Sequence, residues 1–307
     1  MPADRIVSLI PSATEIVCAL GAVDRLVGRS HECDWPPVIR DRPICSFACV
    51  DSGADSSVID ESVRTLLTDQ VSLYGLNTDL LDRVRPDLII TQTQCDVCAV
   101  SLADVRQAIN ASLPVDPELV VLAPTVLADV RDDIVRVADA IGCDPTESLK
   151  GFDRLLARVR ATALPGPRPR VLCVEWIDPP MAAGNWVPEL VAIAGGESLL
   201  ATNGRHSPYL TVEQVAASDP DVVIFMPCGF DLPRTVGETQ SVLNQPPWSS
   251  LRAVRDRCAF AVDANAYFNR PGPRLADSAA ILHDILHDVA ETDAEQLAKP
   301  QAWVCVC

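Results

Sequence analysis

The chain has 307 residues, 48% of them hydrophobic, and its 42 acidic against 25 basic side chains give a formal net charge of -17. Domains cluster near about 100–150 residues, so this length calls for two cores rather than one. The negative excess excludes nucleic acid and an anionic membrane surface as partners, because both need a concentrated positive field.

Ile6-Val-Ser-Leu-Ile10 reads as a first strand, with no export signal ahead of it. No apolar stretch approaches the roughly 18 residues of a membrane span, so the expectation is a cytoplasmic protein without membrane insertion. Ser12-Ala-Thr-Glu15 reads as a capping box that opens a helix closing at Gly21, and Leu26-Val27-Gly28 as a second strand. Leu88-Ile-Ile-Thr91 and Val120-Val-Leu122 continue the strand and helix alternation of a mostly parallel sheet. From 125 to 163 the pattern is helical, interrupted at Gly142-Cys-Asp-Pro145, where Asp144 suits a cap and Pro145 a first helical turn. Beyond Pro165-Gly-Pro167, strands are expected at Arg170-Val-Leu-Cys-Val-Glu175, Val222-Val-Ile-Phe-Met226 and Ala259-Phe-Ala-Val262. The expected organisation is an N-terminal α/β lobe over 1–124, a helical connector over 125–164, a C-terminal α/β lobe over 165–300 and a mobile tail over 301–307.

Twelve cysteines are scattered through this pattern rather than spaced as a disulfide framework, and they read as thiols, many of them small core residues. In open parallel sheets, ligands bind beyond the carboxyl ends of the strands. His31, Glu32 and Cys33 follow the second strand, and Gln94, Cys95 and Cys98 follow the strand ending at Thr91. The two-residue gap lets both sulfurs of Cys95 and Cys98 face one point. Four readings stay open for this group. They are a zinc, iron or copper(I) site from His31, Cys33, Cys95 and Cys98, a thiolate pair touching a ligand's metal, a redox pair, or thiols that only fill space.

In the second half Trp176, Asn185 and Trp186 flank a turn after a strand, where two indoles suit a flat macrocycle or else cap the core. Phe230 and the run Tyr267-Phe268-Asn-Arg270-Pro-Gly-Pro-Arg274 also follow strands. Arg270 and Arg274 suit a carboxylate, amide or phosphate clamp, the alternative being a surface pair of Arg274 with Asp277. His283 and His287 are expected on a solvated helix face, and Cys305 and Cys307 in a harmless terminus, with soft-metal binding as its alternative. No GxSxG, GxxxxGK[ST] or GxGxxG motif follows a suitable strand, which removes hydrolase, P-loop and dinucleotide readings. The expectation is a non-enzyme, the open catalytic alternative being a thiol-dependent enzyme acting on a bound cofactor.

The residues resemble the substrate-binding proteins that join two lobes by a single helical backbone, known as class III or helical-backbone metal receptors. The likeness is to their cobalamin-binding branch, found beside ABC importers. It is carried by Arg5 through Glu15, Gly28 through Asp34, Pro86 through Cys98, Glu175-Trp176 through Gly195-Gly196, and Asn265 through Arg274. Pro86-Asp87 and Asp219-Pro-Asp-Val222, each before a strand, are the paired signature of the family. The resemblance implies an α/β fold of two Rossmann-like lobes joined by one long backbone helix at about 145–163. Its small-molecule ligand would be cobalamin or a related corrinoid, held between the lobes for carriage, sequestration or importer-related uptake. Trp176, Trp186, Tyr267 and Phe268 would wall that ligand, with Ser12, Glu32, Gln94, Asn185, Phe230, Arg270 and Arg274 as further contacts. His31 or a cysteine would approach the cobalt. ABC importer components would be the partners, meeting Asp104 and Glu213 as acidic docking side chains.

Overall fold

The computed structural model describes residues 2–69, 72–94, 100–113, 116–162, 164, 166–290, 296–298 and 302–307. The chain divides into two compact units. The first comprises Met1–Ala54, Val58–Pro124 and Ala128–Lys150, and the second Asp55–Ser57, Thr125–Leu127 and Gly151–Cys307.

The first unit is built from β1 (Ile6–Ser8), α1 (Pro11–Ala19), β2 (Leu26–Arg29), β3 (Ser46–Ala48), α2 (Ser56–Thr68), β4 (Tyr74–Leu76), α3 (Thr78–Val84), β5 (Leu88–Gln92), α4 (Leu102–Ser112), β6 (Glu118–Leu122) and α5 (Leu127–Ile141). Its main sheet is parallel in the order β2-β1-β5-β6, and β3 pairs antiparallel with β4. Helices cover both faces of such a sheet, which is why β5 is a continuous apolar run, Leu88-Ile-Ile, with every side chain buried. α6 (Thr146–Ala161) carries the chain out of the first unit and into the second, the division falling after Lys150. Asp144 caps it by accepting the Thr146 amide at 2.9 Å.

The second unit continues with β7 (Arg170–Trp176), β8 (Met181–Ala182), α7 (Val187–Ile193), β9 (Glu197–Ser198), α8 (Val212–Ser218), β10 (Val222–Phe225), α9 (Leu232–Leu243), α10 (Arg252–Arg255), β11 (Ala259–Val262), α11 (Ala264–Tyr267), α12 (Leu275–Val289) and β12 (Trp303–Cys305). Its sheet runs β12-β11-β10-β7-β8, with β9 also on β7. β7, β10 and β11 are parallel, and β12 and β8 are antiparallel to their neighbours.

The Pro-Asp pair has the same structural task in both units. Arg85 and Asp219 end α3 and α8 in the left-handed region, at φ 42° and 37°. A proline follows each, and then an aspartate folds back on the start of the central strand. Asp87 accepts the amides of Asp4 at 3.0 Å and Arg5 at 2.9 Å, and Asp221 accepts that of Arg170 at 2.8 Å. The arginine that enters each strand returns the contact, Arg5 Nε to the Val84 carbonyl at 2.9 Å and Arg170 Nη1 to the Asp219 carbonyl at 2.8 Å. Each motif thereby satisfies the loose amide at its strand's entrance.

Three expectations are corrected. Ser12 does not cap α1: the helix begins one residue earlier, at Pro11, whose missing N–H suits the first position, and Ile10 makes no side-chain cap bond. The tail is not loose over 302–307, because β12 adds an antiparallel edge strand to β11. His283 and His287 are not on a solvated face but are 1% and 5% exposed, with ring centroids 4.3 Å apart. α12 is apolar on nearly all sides, so it is enclosed, and Asp284 Oδ1 lies 2.8 Å from His283 Nδ1. The Asp284 carboxylate also accepts the amides of Leu297 at 2.8 Å and Ala298 at 2.7 Å, which holds that later segment to the helix.

Candidate functional site

In the first unit β1 and β5 are neighbours, with β2 outside one and β6 outside the other. Connections leaving their carboxyl ends diverge there, which makes this end the place for a ligand. Ser12 lies in the first turn of α1 and is buried, and Gln94 is half-buried just past β5. His31, past β2, is held on two sides. Its Nδ1 is 2.9 Å from Ser46 Oγ on β3, and its ring lies 5.6 Å from that of Tyr74 on β4. Its Nε2 faces Glu32 Oε1 at 3.3 Å. The Ser46 hydroxyl can donate to Nδ1 or accept from it, so either neutral tautomer is accommodated. With the proton on Nδ1, Nε2 is a metal-ligating or hydrogen-bond-accepting atom. With the proton on Nε2, it faces the Glu32 carboxylate without a hydrogen bond to it.

Cys33 departs from the expectation that it joins His31 in an open cluster. It is 1% exposed, belongs to the core of the first unit, and its sulfur lies 3.0 Å from Thr14 Oγ1. The Thr14 hydroxyl is 2.8 Å from Ser8 Oγ, so the thiol is drawn into a small buried polar chain beneath α1. Cys95 and Cys98 lie outside the described residues. Among the described residues no group of three or more His, Cys, Asp and Glu side chains could hold a metal ion.

In the second unit β7 is the central strand, with β8 and β9 on one side and β10 and β11 on the other. At its carboxyl end Trp176 packs edge-on against Phe230, with centroids 5.5 Å apart, and its Nε1 donates to the Asp178 carbonyl at 3.1 Å. Arg234, on the first turn of α9, lies over the other part of this pair, its Cζ 3.5 Å from the Phe230 centroid. Tyr267 is half-buried under the Arg274 guanidinium at 4.5 Å. Arg270 is buried and donates to Asn265 Oδ1 at 3.0 Å. Arg274 is therefore engaged with an aromatic face.

The expected aromatic platform is only partly open. Trp186 is 5% and Phe268 1% exposed, and the Trp186 Nε1 donates to the Phe268 carbonyl at 2.9 Å. In this structure Trp186 takes the core-capping alternative, Phe230 and Phe268 are buried, and Trp176 and Tyr267 keep exposed surface. Asn185 is buried in the left-handed region at φ 49°, bonded through its backbone to Arg205 and Gly204.

Sequence reasoning missed the groups that hold these residues. A Cβ at Gly184 would run into the Arg205 carbonyl and the Ser207 amide, so glycine is required for the approach of that loop. Ser207 Oγ accepts the Gly184 amide at 3.0 Å and donates to Glu175 Oε2 at 2.8 Å. Burial pushes the Glu175 carboxyl up from its ordinary range, and the Ser207 bond and nearby His206 oppose this. No short-range pattern links Ser207 to Glu175, 32 positions away. Of the two expected docking acids, Glu213 is exposed on the first turn of α8, whereas Asp104 is half-buried and accepts from Ser72 at 2.8 Å and Ser101 at 2.7 Å.

Comparison with known proteins bears on this arrangement. The profile of the family described as periplasmic binding protein matches residues 6–266. The chain is 24% identical over 293 residues to the vitamin B12-binding protein of Vibrio cholerae, covering 90% of this chain and 87% of that one. It is 25% identical to the cobalamin-binding protein of Halobacterium salinarum, covering 93% of this chain and 70% of that one. Among solved structures, the apo periplasmic heme-binding protein of Roseiflexus sp. superposes with a TM-score of 0.70 at 24% identity, covering 94% of this chain and 99% of that one. The chain thus belongs to the periplasmic binding protein family and carries its helical-backbone α/β fold.

Proposed function

We propose that this protein binds a corrinoid of the cobalamin type and acts as a carrier or sequestering protein linked to an ABC importer. The observation that carries this reading is the near-full-length similarity to the Vibrio cholerae vitamin B12-binding protein and the Halobacterium salinarum cobalamin-binding protein. Features of each unit support it separately. In the first, His31 is buttressed by Ser46 and Tyr74, and its Nε2, buried beside Glu32, is a nitrogen suited to cobalt or to a polar corrin substituent. In the second, the exposed surfaces of Trp176 and Tyr267 suit the face of a macrocycle, and Arg274 beside Tyr267 suits the amide side arms of its rim. Of the two acids, Glu213 is assigned to importer docking because it is exposed, whereas Asp104 is half-buried between two serines.

The test is a titration of the purified full chain with aquacobalamin followed by absorbance. Saturation at one equivalent supports the reading, and a shifted spectrum that is lost in His31→Ala with binding retained assigns His31 to the cobalt. An unchanged spectrum, with no corrinoid retained on gel filtration, overturns it.

A further inference from the structure

We propose that Cys258 and Cys307 form a thiol–disulfide exchange site at the edge of the second unit, taking a low-molecular-weight disulfide as its reactant. Neither residue belongs to the candidate ligand contacts, and the proposal is independent of the corrinoid reading.

The site is assembled by the pairing of β12 with β11. Phe260 lies opposite Cys305, Ala261 opposite Val304 and Val262 opposite Trp303. The Val306 amide donates to the Ala259 carbonyl at 2.9 Å and the Asp263 amide to the Ala302 carbonyl at 3.0 Å. These bonds fix which antiparallel pairs are hydrogen-bonded, and the register continued by one step sets Cys258 against Cys307 in a non-hydrogen-bonded pair. Such pairs bring the two Cα atoms to about 4.5 Å, within the roughly 4.4–6.8 Å that a disulfide spans. Side chains opposite each other share a face, and residues two apart share it too, so Cys258, Cys305 and Cys307 all project to the same side of the sheet.

The sulfur positions agree with this register. Cys258 Sγ lies 3.5 Å from the Asp256 carbonyl, Cys305 Sγ 3.5 Å from that of Arg257, and Cys307 Sγ 3.8 Å from that of Ala259. Three sulfurs thus cluster on four consecutive residues. Cys258 and Cys307 are half-buried and pack on the core of the unit, while Cys305 is exposed. Burial raises the thiol pKa of Cys258, with Asp256 and Cys305 adding to it. Burial also raises that of Cys307, with a backbone hydrogen bond at Ala259 opposing and Cys305 and Cys258 adding. Exchange therefore accelerates as pH rises and the thiolates form.

The chemistry balances as two successive exchanges. The Cys307 thiolate attacks one sulfur of the small disulfide, the S–S bond breaks, and one small thiol leaves. The Cys258 thiolate then attacks Cys307 in the mixed disulfide and expels the second small thiol. Two protein thiols are oxidised by two electrons, the reactant disulfide is reduced to two thiols, and the product ties β12 covalently to β11.

The test uses the reduced full chain and oxidised glutathione under anaerobic conditions, followed by N-ethylmaleimide, proteolysis and peptide mass spectrometry. The expected product links the peptide holding Cys258 to Cys307, in the wild type and in Cys305→Ser alike, and is missing from Cys258→Ser and Cys307→Ser. It raises the unfolding midpoint of the wild type relative to the reduced chain, with no such rise in Cys258→Ser. Recovery of Cys258 as its maleimide adduct, with Cys307 free, glutathionylated or linked to Cys305, would overturn the proposal.

Discussion

The indole Nε1 of Trp186 donates to the Phe268 carbonyl at 2.9 Å, joining the residue that precedes α7 to the one that follows α11. This bond lies inside the second unit and both side chains are buried. Trp186 is thus first a structural residue. Trp186→Ala should cost about 3–5 kcal/mol of stability, as large aromatic truncations in cores do. Trp186→Phe should cost about 1 kcal/mol or somewhat more, because it keeps much of the volume but leaves a buried carbonyl without its donor. Urea denaturation checks both, and an unchanged midpoint for the alanine variant would contradict the burial argument.

Asp221 makes a second test. Burial tends to raise its carboxyl pKa, but the Arg170 amide and the Arg252 guanidinium at 2.6 Å outweigh burial and hold it below the ordinary range. A carboxylate with a depressed folded pKa contributes stability above its unfolded value, near 4, and that contribution is lost as pH falls through the lower folded value. Asp221→Asn should lower stability at neutral pH by about 1 kcal/mol, the Arg252 pair being partly solvent-screened, and should flatten the loss below pH ~4. Thermal melts from pH 7 to pH 3 measure this. Parallel curves for variant and wild type would remove Asp221 from the acid response.

His287 predicts the opposite side of the acid limb. Burial, reinforced by His283, pushes its pKa below the ordinary histidine value, and Asp284 opposes. The folded group therefore takes up its proton at lower pH than the unfolded chain, which does so near pH 6.5, so stability falls as pH drops below about 6.5 and levels once the folded form protonates. His287→Gln should remove its part of the fall in stability between pH 7 and 5. A wild-type melting temperature that is flat across that window would show that the imidazole is not held neutral.

The sequence made the principal strands legible where parallel pairing buries both faces. β5, β7 and β10 each hold an apolar run of three or four residues, 88–90, 171–174 and 222–225, entered from a proline or a Pro-Asp turn, and that combination has few other structural meanings. β3, β4, β8 and β9 are two or three residues long and were not legible, because such segments become strands only when a partner is already in place. β12 had the right alternation, but its partner is 41 or more residues earlier in the chain, so the register that sets Cys307 against Cys258 cannot be read locally. For the candidate site, placement after strands identified His31, Trp176, Phe230 and Tyr267 as strand-end residues. The same rule could not tell Trp176, which keeps exposed surface, from Trp186, which is buried, since burial depends on Phe268, 82 positions away. The burial of Cys33 was not legible for a similar reason: its partner Thr14 lies on α1, 19 positions earlier.

The most direct test of the central claim is a calorimetric titration of the full chain with cyanocobalamin, run in parallel with heme. The account predicts saturable heat with one corrinoid per chain and no comparable saturation by heme. Absence of corrinoid binding, or stoichiometric binding of heme in its place, would contradict it.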